Sequence, residues 1–427
     1  MNASSPPPVF IIGAGMAGLS CAVYLRKMGI NALVLEAADG VGGRVRTDAV
    51  DGFQLDRGFQ ILLTAYPEAR RLFDYDALNL RMFRSGALIR NDAPDAKTPW
   101  LTLLNPFREP TGAPATLLSP FGTLADKLRI AGLLRHTAEL PVDELFRQTP
   151  TTTLQFLHER GFSDQIIHRF FRPFFGGVFL EDALSTSSNF FEFCFRMFFA
   201  GDAALPARGI GAMAEQLAGR LATDQLRLRT LVRAVEPGRI ILDSGETLQA
   251  SAVVLAVDAA EAARLLGRPA PPGRAFNHTT CTYFAAPQSP NNQRLLLLNP
   301  QRHSAVHNMA VLSDVAPGYA PEGQALVSVS TQGLETVNEA ALTERIRREL
   351  TGWFGQSVAQ WRHLRTYHLP HALPTYGPAE AGTDALRQPL QLADGLYQCG
   401  DQTAYPSLNA ALQTGRLVAE RLLLATA

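Results

Sequence analysis

The chain has 427 residues, more than a single hydrophobic core usually holds, so two or more packed units are expected. Apolar residues make up 46% and charged residues 18%, the balance of a globular protein with a large interior. Basic and acidic residues number 39 each, and that neutrality argues against nucleic acid as a partner, which requires a basic surface.

Lysine occurs only at Lys27, Lys97 and Lys127, so beyond residue 127 every fixed positive side-chain charge is an arginine. Cys21, Cys194, Cys281 and Cys399 are scattered without metal-ligand spacing or a dense disulfide pattern. No metal site is expected, and buried free thiols in a reducing, cytoplasmic setting are the default. The first eight residues are polar and proline-rich, a flexible leader without the basic-then-apolar layout of a signal peptide. No apolar run reaches the roughly 18 to 20 residues of a membrane span. The greasiest stretch, 190–200, is interrupted by Glu192 and Arg196, so the chain reads as soluble or peripheral to a membrane.

In chain order, residues 9–12 form a continuous apolar run, the pattern of a buried parallel strand. Gly13-Ala14-Gly15-Met16-Ala17-Gly18 follows at once, then a helical stretch to Met28 and a second apolar run, 32–35, ending at Glu36 and Ala37. Gly13 permits a tight turn, Gly15 lets the backbone approach a pyrophosphate, and Gly18 lets helix pack closely on strand. The anion is expected at the helix N-terminus, over Met16 and Ala17, where unpaired N–H groups and the helix dipole favour it. Glu36 stands about 20 residues on, placed to accept from a ribose hydroxyl. An acid there also disfavours a 2′-phosphate.

Next comes a second glycine loop, Gly40-Val41-Gly42-Gly43-Arg44-Val45-Arg46-Thr47. It resembles the GG-R-x-x-T motif of the flavin-containing amine oxidase superfamily, nearest the protoporphyrinogen oxidase and carotenoid desaturase branch. The resemblance implies noncovalently bound FAD, with Gly42 and Gly43 over the pyrophosphate and Arg44 neutralising phosphate charge. It also implies an α/β fold: a discontinuous Rossmann-type FAD-binding domain (1–75, 206–268 and 388–427) and a substrate domain (76–205 and 269–387) of antiparallel β-platform plus helical cap.

Asp56-Arg57-Gly58-Phe59-Gln60 matches the family's second strand and turn. Gly58, Phe59 and Gln60 therefore either approach the isoalloxazine ring or simply pack a turn. Residues 117–200 read as helices, and half of the 24 phenylalanines fall between Phe162 and Phe199. Such density suits an aromatic core, or walls that hold a flat or polyene substrate. The segment 117–135 mixes Leu118, Phe121, Leu124, Leu128 and Leu134 with Lys127, Arg129 and Arg135, consistent with an interfacial helix touching a membrane or with a surface helix packing inward.

Residues 206–213 resemble the family's P-x-G-G-M segment, and a strand is expected over 226–235, with Val232 at the position whose backbone contacts adenine in relatives. A hairpin at 240–248 and a buried strand at 252–257 follow. Platform strands are expected at 279–285, 294–298, 305–313 and 325–331. Amine oxidases of the family carry a platform lysine near flavin N5; its place falls near Thr279 or Thr280, so that device is missing. His303, His307 and His371 could act as a base near neutral pH, against a structural or surface role for each; Tyr405 is a further candidate at the reaction centre, as are Phe59 and Gln60. Finally, 395–401 reads as a strand leading to Gly400-Asp401, and 406–412 opens a helix. The resemblance puts Asp401 near the ribityl chain and the helix start, Leu408, Asn409 and Ala410, against the flavin pyrimidine.

The function so implied is dehydrogenation of a hydrophobic small molecule by hydride transfer from carbon to flavin N5, with oxygen, a quinone or another acceptor reoxidising the flavin. An amine oxidase with altered machinery and a flavin-binding protein without turnover are the alternatives.

Overall fold

The computed structural model describes residues 7–91, 98–105, 108–109, 119–269, 276–333, 338–381 and 384–426. Val9–Ile12, Ala32–Leu35 and Ala252–Leu255 are buried at every position, as strands covered on both faces must be. They pair in parallel, with Val9 opposite Ala32 on one side and Ala252 on the other. The full sheet runs Leu226–Arg227, Ala32–Leu35, Val9–Ile12, Ala252–Leu255, Leu396–Gln398 and Gln391–Ala393, with only the last joined antiparallel. One site is thereby assembled from segments nearly 400 residues apart.

Helices Met16–Lys27 and Leu408–Thr426 pack against each other beside this sheet. They approach so closely at Gly415 that a Cβ there would lie 2.3 Å from the Ala17 carbonyl oxygen. A three-stranded antiparallel sheet, Val232–Glu236, Arg239–Leu242 and Thr247–Gln249, sets Val232, Val235, Ile240 and Leu242 against Phe10, Ile12, Leu33 and Leu35. The single strand expected over 226–235 is therefore two. Arg229, at φ 51°, lies between a piece in the parallel sheet and a piece in the antiparallel one.

The second sheet has seven strands, ordered Arg362–Pro374, Phe276–Ala286, Ala325–Gln332, Asn308–Val311, Leu296–Leu298, Gly86–Arg90 and Trp100–Leu104. All neighbours are antiparallel except Leu296–Leu298 with Gly86–Arg90. The four expected strands are present with shifted ends: the one placed at 305–313 shortens to Asn308–Val311 and turns into the helix Leu312–Val315. Leu342, Ile346 and Leu350, four residues apart on the helix Glu339–Phe354, pack on this sheet beside Val327 and Val329.

Helices Leu124–Glu139, Val142–Arg147, Thr153–Glu159 and Arg172–Phe179 gather around a fifth, Ser188–Ala200. The first starts at Thr123, whose hydroxyl accepts from the Asp126 N–H while the Asp126 carboxylate accepts from the Thr123 N–H. Leu117 and Leu118, counted above with this helix, fall outside the described residues. Phe171, Phe175, Phe191 and Phe195 are fully buried, with ring centres as close as 4.6 Å for Phe175 and Phe191. Much of the phenylalanine stripe is thus core.

The hairpin Thr47–Val50 and Phe53–Asp56 is tied to the seven-stranded sheet at Asp56, 1% exposed at the end of its second strand. Its carboxylate accepts from Thr47 Oγ1 at 2.6 Å, Ile210 N at 2.9 Å and Tyr319 Oη at 2.9 Å, and its carbonyl accepts from Tyr283 Oη at 2.8 Å. Burial raises this carboxyl to about 6, with the three donors pulling the other way. An unfolded aspartate titrates near 3.9. Between those values the folded chain holds a proton that the unfolded chain has released, so this group's contribution to stability is present below about pH 4 and lost as pH rises through 6. Asp56→Asn cannot ionise. Thermal unfolding of both proteins from pH 4.5 to 7 should show the variant gaining on wild type by about 2 kcal/mol; a gap independent of pH would show the carboxyl ionised throughout.

Candidate functional site

A cavity of about 1120 Å³ runs from the carboxyl ends of the parallel strands to the space between the seven-stranded sheet and the helices. Its two ends are built differently.

At the first end, Val9–Ile12 delivers the chain to Gly13, at φ 105°, where a Cβ would lie 2.7 Å from the Ala256 carbonyl oxygen. A Cβ on Gly18 would come within 2.1 Å of the Gly13 carbonyl oxygen, whereas one on Gly15 would meet nothing within 4 Å. Gly13 and Gly18 are thus needed for packing, and Gly15 keeps the cavity side open. The helix Met16–Lys27 begins there with no side-chain cap and no acidic residue in its first turn. Uncapped N–H groups at a cavity wall are the donor set a pyrophosphate requires, and Gly13, Gly15, Met16 and Ala17 all line the cavity.

Glu36 lines it too, its Oε2 accepting from Ala14 N at 2.7 Å and Oε1 from Ala38 N at 2.8 Å. The carboxylate is held still by its own turn and keeps lone pairs for a ribose. The second glycine loop is stitched to the first, Gly42 N donating to Ala14 O at 2.8 Å, so that Gly42, Gly43 and Arg44 share the same wall. Arg44 pairs with Asp401 at 2.5 Å and donates to Ala372 O at 3.2 Å. Asp401 is 6% exposed, while Arg44 keeps 47% of its side chain open toward the cavity. The two charges expected on separate parts of a cofactor therefore meet across 357 residues of sequence. Gly58, Phe59, Gln60, Gly400 and Leu408 complete this end, and Gln60 Nε2 is anchored on the carbonyls of Arg44 and Arg57.

Five expected cofactor residues do not line the cavity. Gly18 acts through packing; Ala37 is exposed on the far side of its turn. Val232 is in the second core, with its carbonyl accepting from Arg264 Nη2 at 3.1 Å. Asn409 is committed elsewhere, its Oδ1 accepting from Glu68 N and its Nδ2 donating to Tyr405 Oη. Ala410 N is capped by Ser407 Oγ. Conversely, Val257, Asp258 and Glu261 line it without having been expected. They follow Ala252–Leu255, and the rule that ligands bind beyond the carboxyl ends of parallel strands would have found them.

The far end is lined by Phe121 from the turn before Leu124–Glu139, by Leu128, Leu134, Phe170, Phe174 and Phe198 from the helices, and by Phe276, Thr279, Leu296, Asn308 and Leu369 from the sheet. Register separates the two threonines: Thr279 faces the cavity, whereas Thr280 is fully buried and donates to Gly333 O. Of the candidate bases, His371 lines the cavity with its ring stacked on Phe276 at 4.7 Å. His307 lies behind the lining, 6% exposed, 3.7 Å from Asp182; burial lowers its pKa, opposed by Asp182 and by a bond to the Pro173 backbone, so its ring is neutral near pH 7. His303 is on an exposed turn at φ 61°, away from the cavity. Tyr405 is buried against Phe146 at 4.4 Å and is also off the cavity, because its ring completes the aromatic core.

The family model for flavin-containing amine oxidoreductases matches residues 16–423. The chain is 26% identical over 196 residues to protoporphyrinogen oxidase 2 of Arabidopsis thaliana, covering 44% of this chain and 35% of that one. It is 40% identical over 80 residues to 15-cis-phytoene desaturase of the same plant, covering 18% and 14%. These matches thus span about a third or less of the relatives' own length. Among solved structures, cyclohexylamine oxidase from Brevibacterium oxydans superposes with a TM-score of 0.74 at 16% identity, over 99% of this chain and 100% of that one, a likeness of fold. The chain belongs to the flavin-containing amine oxidoreductase family.

Proposed function

We propose that this chain is an FAD-dependent oxidoreductase that dehydrogenates a hydrophobic small molecule, taking a hydride from carbon. The observation that carries the reading is a cavity whose glycine end continues directly into an apolar, phenylalanine-walled end; the resemblance puts the amine oxidases' lysine near Thr279 or Thr280, and neither is a lysine. Bound at the glycine end, FAD supplies the two-electron acceptor at N5. In this reading 1–75, 206–268 and 388–427 form the cofactor unit and the rest forms the substrate unit. The start of Met16–Lys27 holds the pyrophosphate, Glu36 a ribose hydroxyl, and Arg44 offsets phosphate charge. Asp401 fixes the Arg44 guanidinium and borders the ribityl chain. The start of the C-terminal helix at Leu408 favours negative charge on the neighbouring ring.

At the other end the chain contributes position and dryness. Phe170, Phe174 and Phe198 exclude water and confine a flat or extended substrate against Phe59 and Gln60. Dehydrogenation removes a hydride from one carbon and a proton from the neighbouring atom; the hydride needs no base, and the proton passes to His371, which lines the cavity, or to water. Oxygen, a quinone or another acceptor then restores the oxidised cofactor.

The rim of the apolar end carries Leu124 and Leu128, 67% and 68% exposed, beside Lys127. Two exposed leucines flanking a lysine at a cavity mouth suit contact with a lipid surface, from which a hydrophobic substrate would enter.

Anaerobic titration of the FAD-loaded protein tests the reaction. Absorbance at about 450 nm, the flavin band, should bleach with a polyene or a porphyrinogen and stay constant with simple primary amines; bleaching by amines alone would overturn the reading. For the rim, co-sedimentation with anionic liposomes should fall several-fold in the Leu124→Ser, Leu128→Ser double variant, and a wild-type protein that remains in the supernatant would contradict it.

A further inference from the structure

The apolar end of the cavity contains a polar group with nothing to bind. Asn308 opens the strand Asn308–Val311, is 5% exposed and lines the cavity, yet among the described residues its carboxamide has no hydrogen-bond partner. The other buried asparagines are all used. Asn189 donates to the carbonyls of Phe146 and Gln148, Asn299 donates to Ser304 Oγ and Val306 O, and Asn409 is engaged at both ends of its amide. Its amide atoms stay open to the cavity, so their partner must come from whatever occupies it, and an apolar occupant would leave them unpaired. Leucine, of similar size, would fill the position with no such demand.

The surroundings hold this amide in place and leave it room. Gly177, on the facing helix Arg172–Phe179, brings that helix so near that a Cβ would lie 2.9 Å from Asn308 Nδ2. Strand and helix are linked just behind it: Gln332 Nε2 donates to Gly176 O at 2.9 Å and lies 3.3 Å from His307 Nε2. A second polar group, Thr279 Oγ1, faces the same cavity; its proton is donated to Thr331 O at 3.2 Å, so its lone pairs remain as acceptors. The apolar end therefore offers a fixed N–H donor and two oxygen acceptors set among phenylalanines.

We propose that Asn308 hydrogen-bonds an oxygen substituent (hydroxyl, carbonyl or carboxylate) on an otherwise apolar substrate, which makes the substrate an oxygenated hydrophobe rather than a plain hydrocarbon. This rests on the reading of the phenylalanine-walled end as the substrate site. Asn308 is a specificity residue. It discriminates because a ligand without the oxygen leaves the amide dry and unpaired.

Equilibrium dialysis with two matched probes tests it: all-trans-retinol and axerophthene, the same polyene lacking the hydroxyl. Asn308→Leu should weaken retinol binding about tenfold and leave axerophthene within about twofold of wild type. Gly177→Ala, whose methyl would displace the amide without changing Asn308, should give the same selective loss and serves if the first variant fails to fold. Equal loss of both probes, or no loss of retinol in either variant, would overturn the proposal. Dialysis reads binding without the flavin, and FAD content is measured separately, so failure to hold FAD would count against the proposed function and not against this selectivity.

Discussion

The approach of the first helix to the first strand governs the rest of the molecule. A Cβ at Gly18 would stand 2.1 Å from the Gly13 carbonyl oxygen, closer than any side chain permits. Because both residues are glycine, the helix seats directly on the sheet and its uncapped N-terminus opens onto the cavity. The second glycine loop bonds to Ala14 in the same turn, which carries Arg44 to the wall, and the C-terminal helix seats on Ala17 through Gly415, which carries Asp401 and Leu408 there. The Arg44–Asp401 pair then closes the circle between the second glycine loop and the last strand–helix turn.

A second constraint is the supply of aromatic side chains. Phe171, Phe191 and Phe195 fill the helical layer, while Phe170, Phe174 and Phe198, on the same two helices and their lead-in, face the cavity. Core and wall are successive faces of one cluster, with Phe174 and Phe198 rings meeting at 4.9 Å and Phe170 and Phe171 at 5.2 Å. The wall is thereby held as stiffly as a core, which suits a site whose work is orientation and exclusion of water.

What was legible in the sequence follows from how local each signal is. The strand, glycines, helix and acid of residues 9–36 announce themselves because each step needs a particular residue within a few positions, and the structure has those elements where they were read. The seven-stranded sheet was half legible. Phe276–Ala286 and Ala325–Gln332 carry strand-like apolar runs, whereas Arg362–Pro374 is an edge of polar and histidine-rich composition that gives no alternating pattern. Long-range partners were not legible at all. Asn409 and Tyr405 sit beside a cofactor motif in sequence, yet their atoms bond to Glu68 and to each other, and only the packing of helix Pro67–Leu72 on the C-terminal helix decides that. Asn308 was missed for the converse reason: one asparagine at a strand start is ordinary until its neighbours are known and found to leave it unpaired.

The central claim is that the glycine-lined end of the cavity holds one FAD without a covalent bond. Heating the purified protein and measuring flavin in the supernatant and on the precipitated chain tests it most directly. The account predicts about one FAD per chain, all of it released. A chain that remains colourless after incubation with FAD, or flavin that stays with the precipitate, would contradict it.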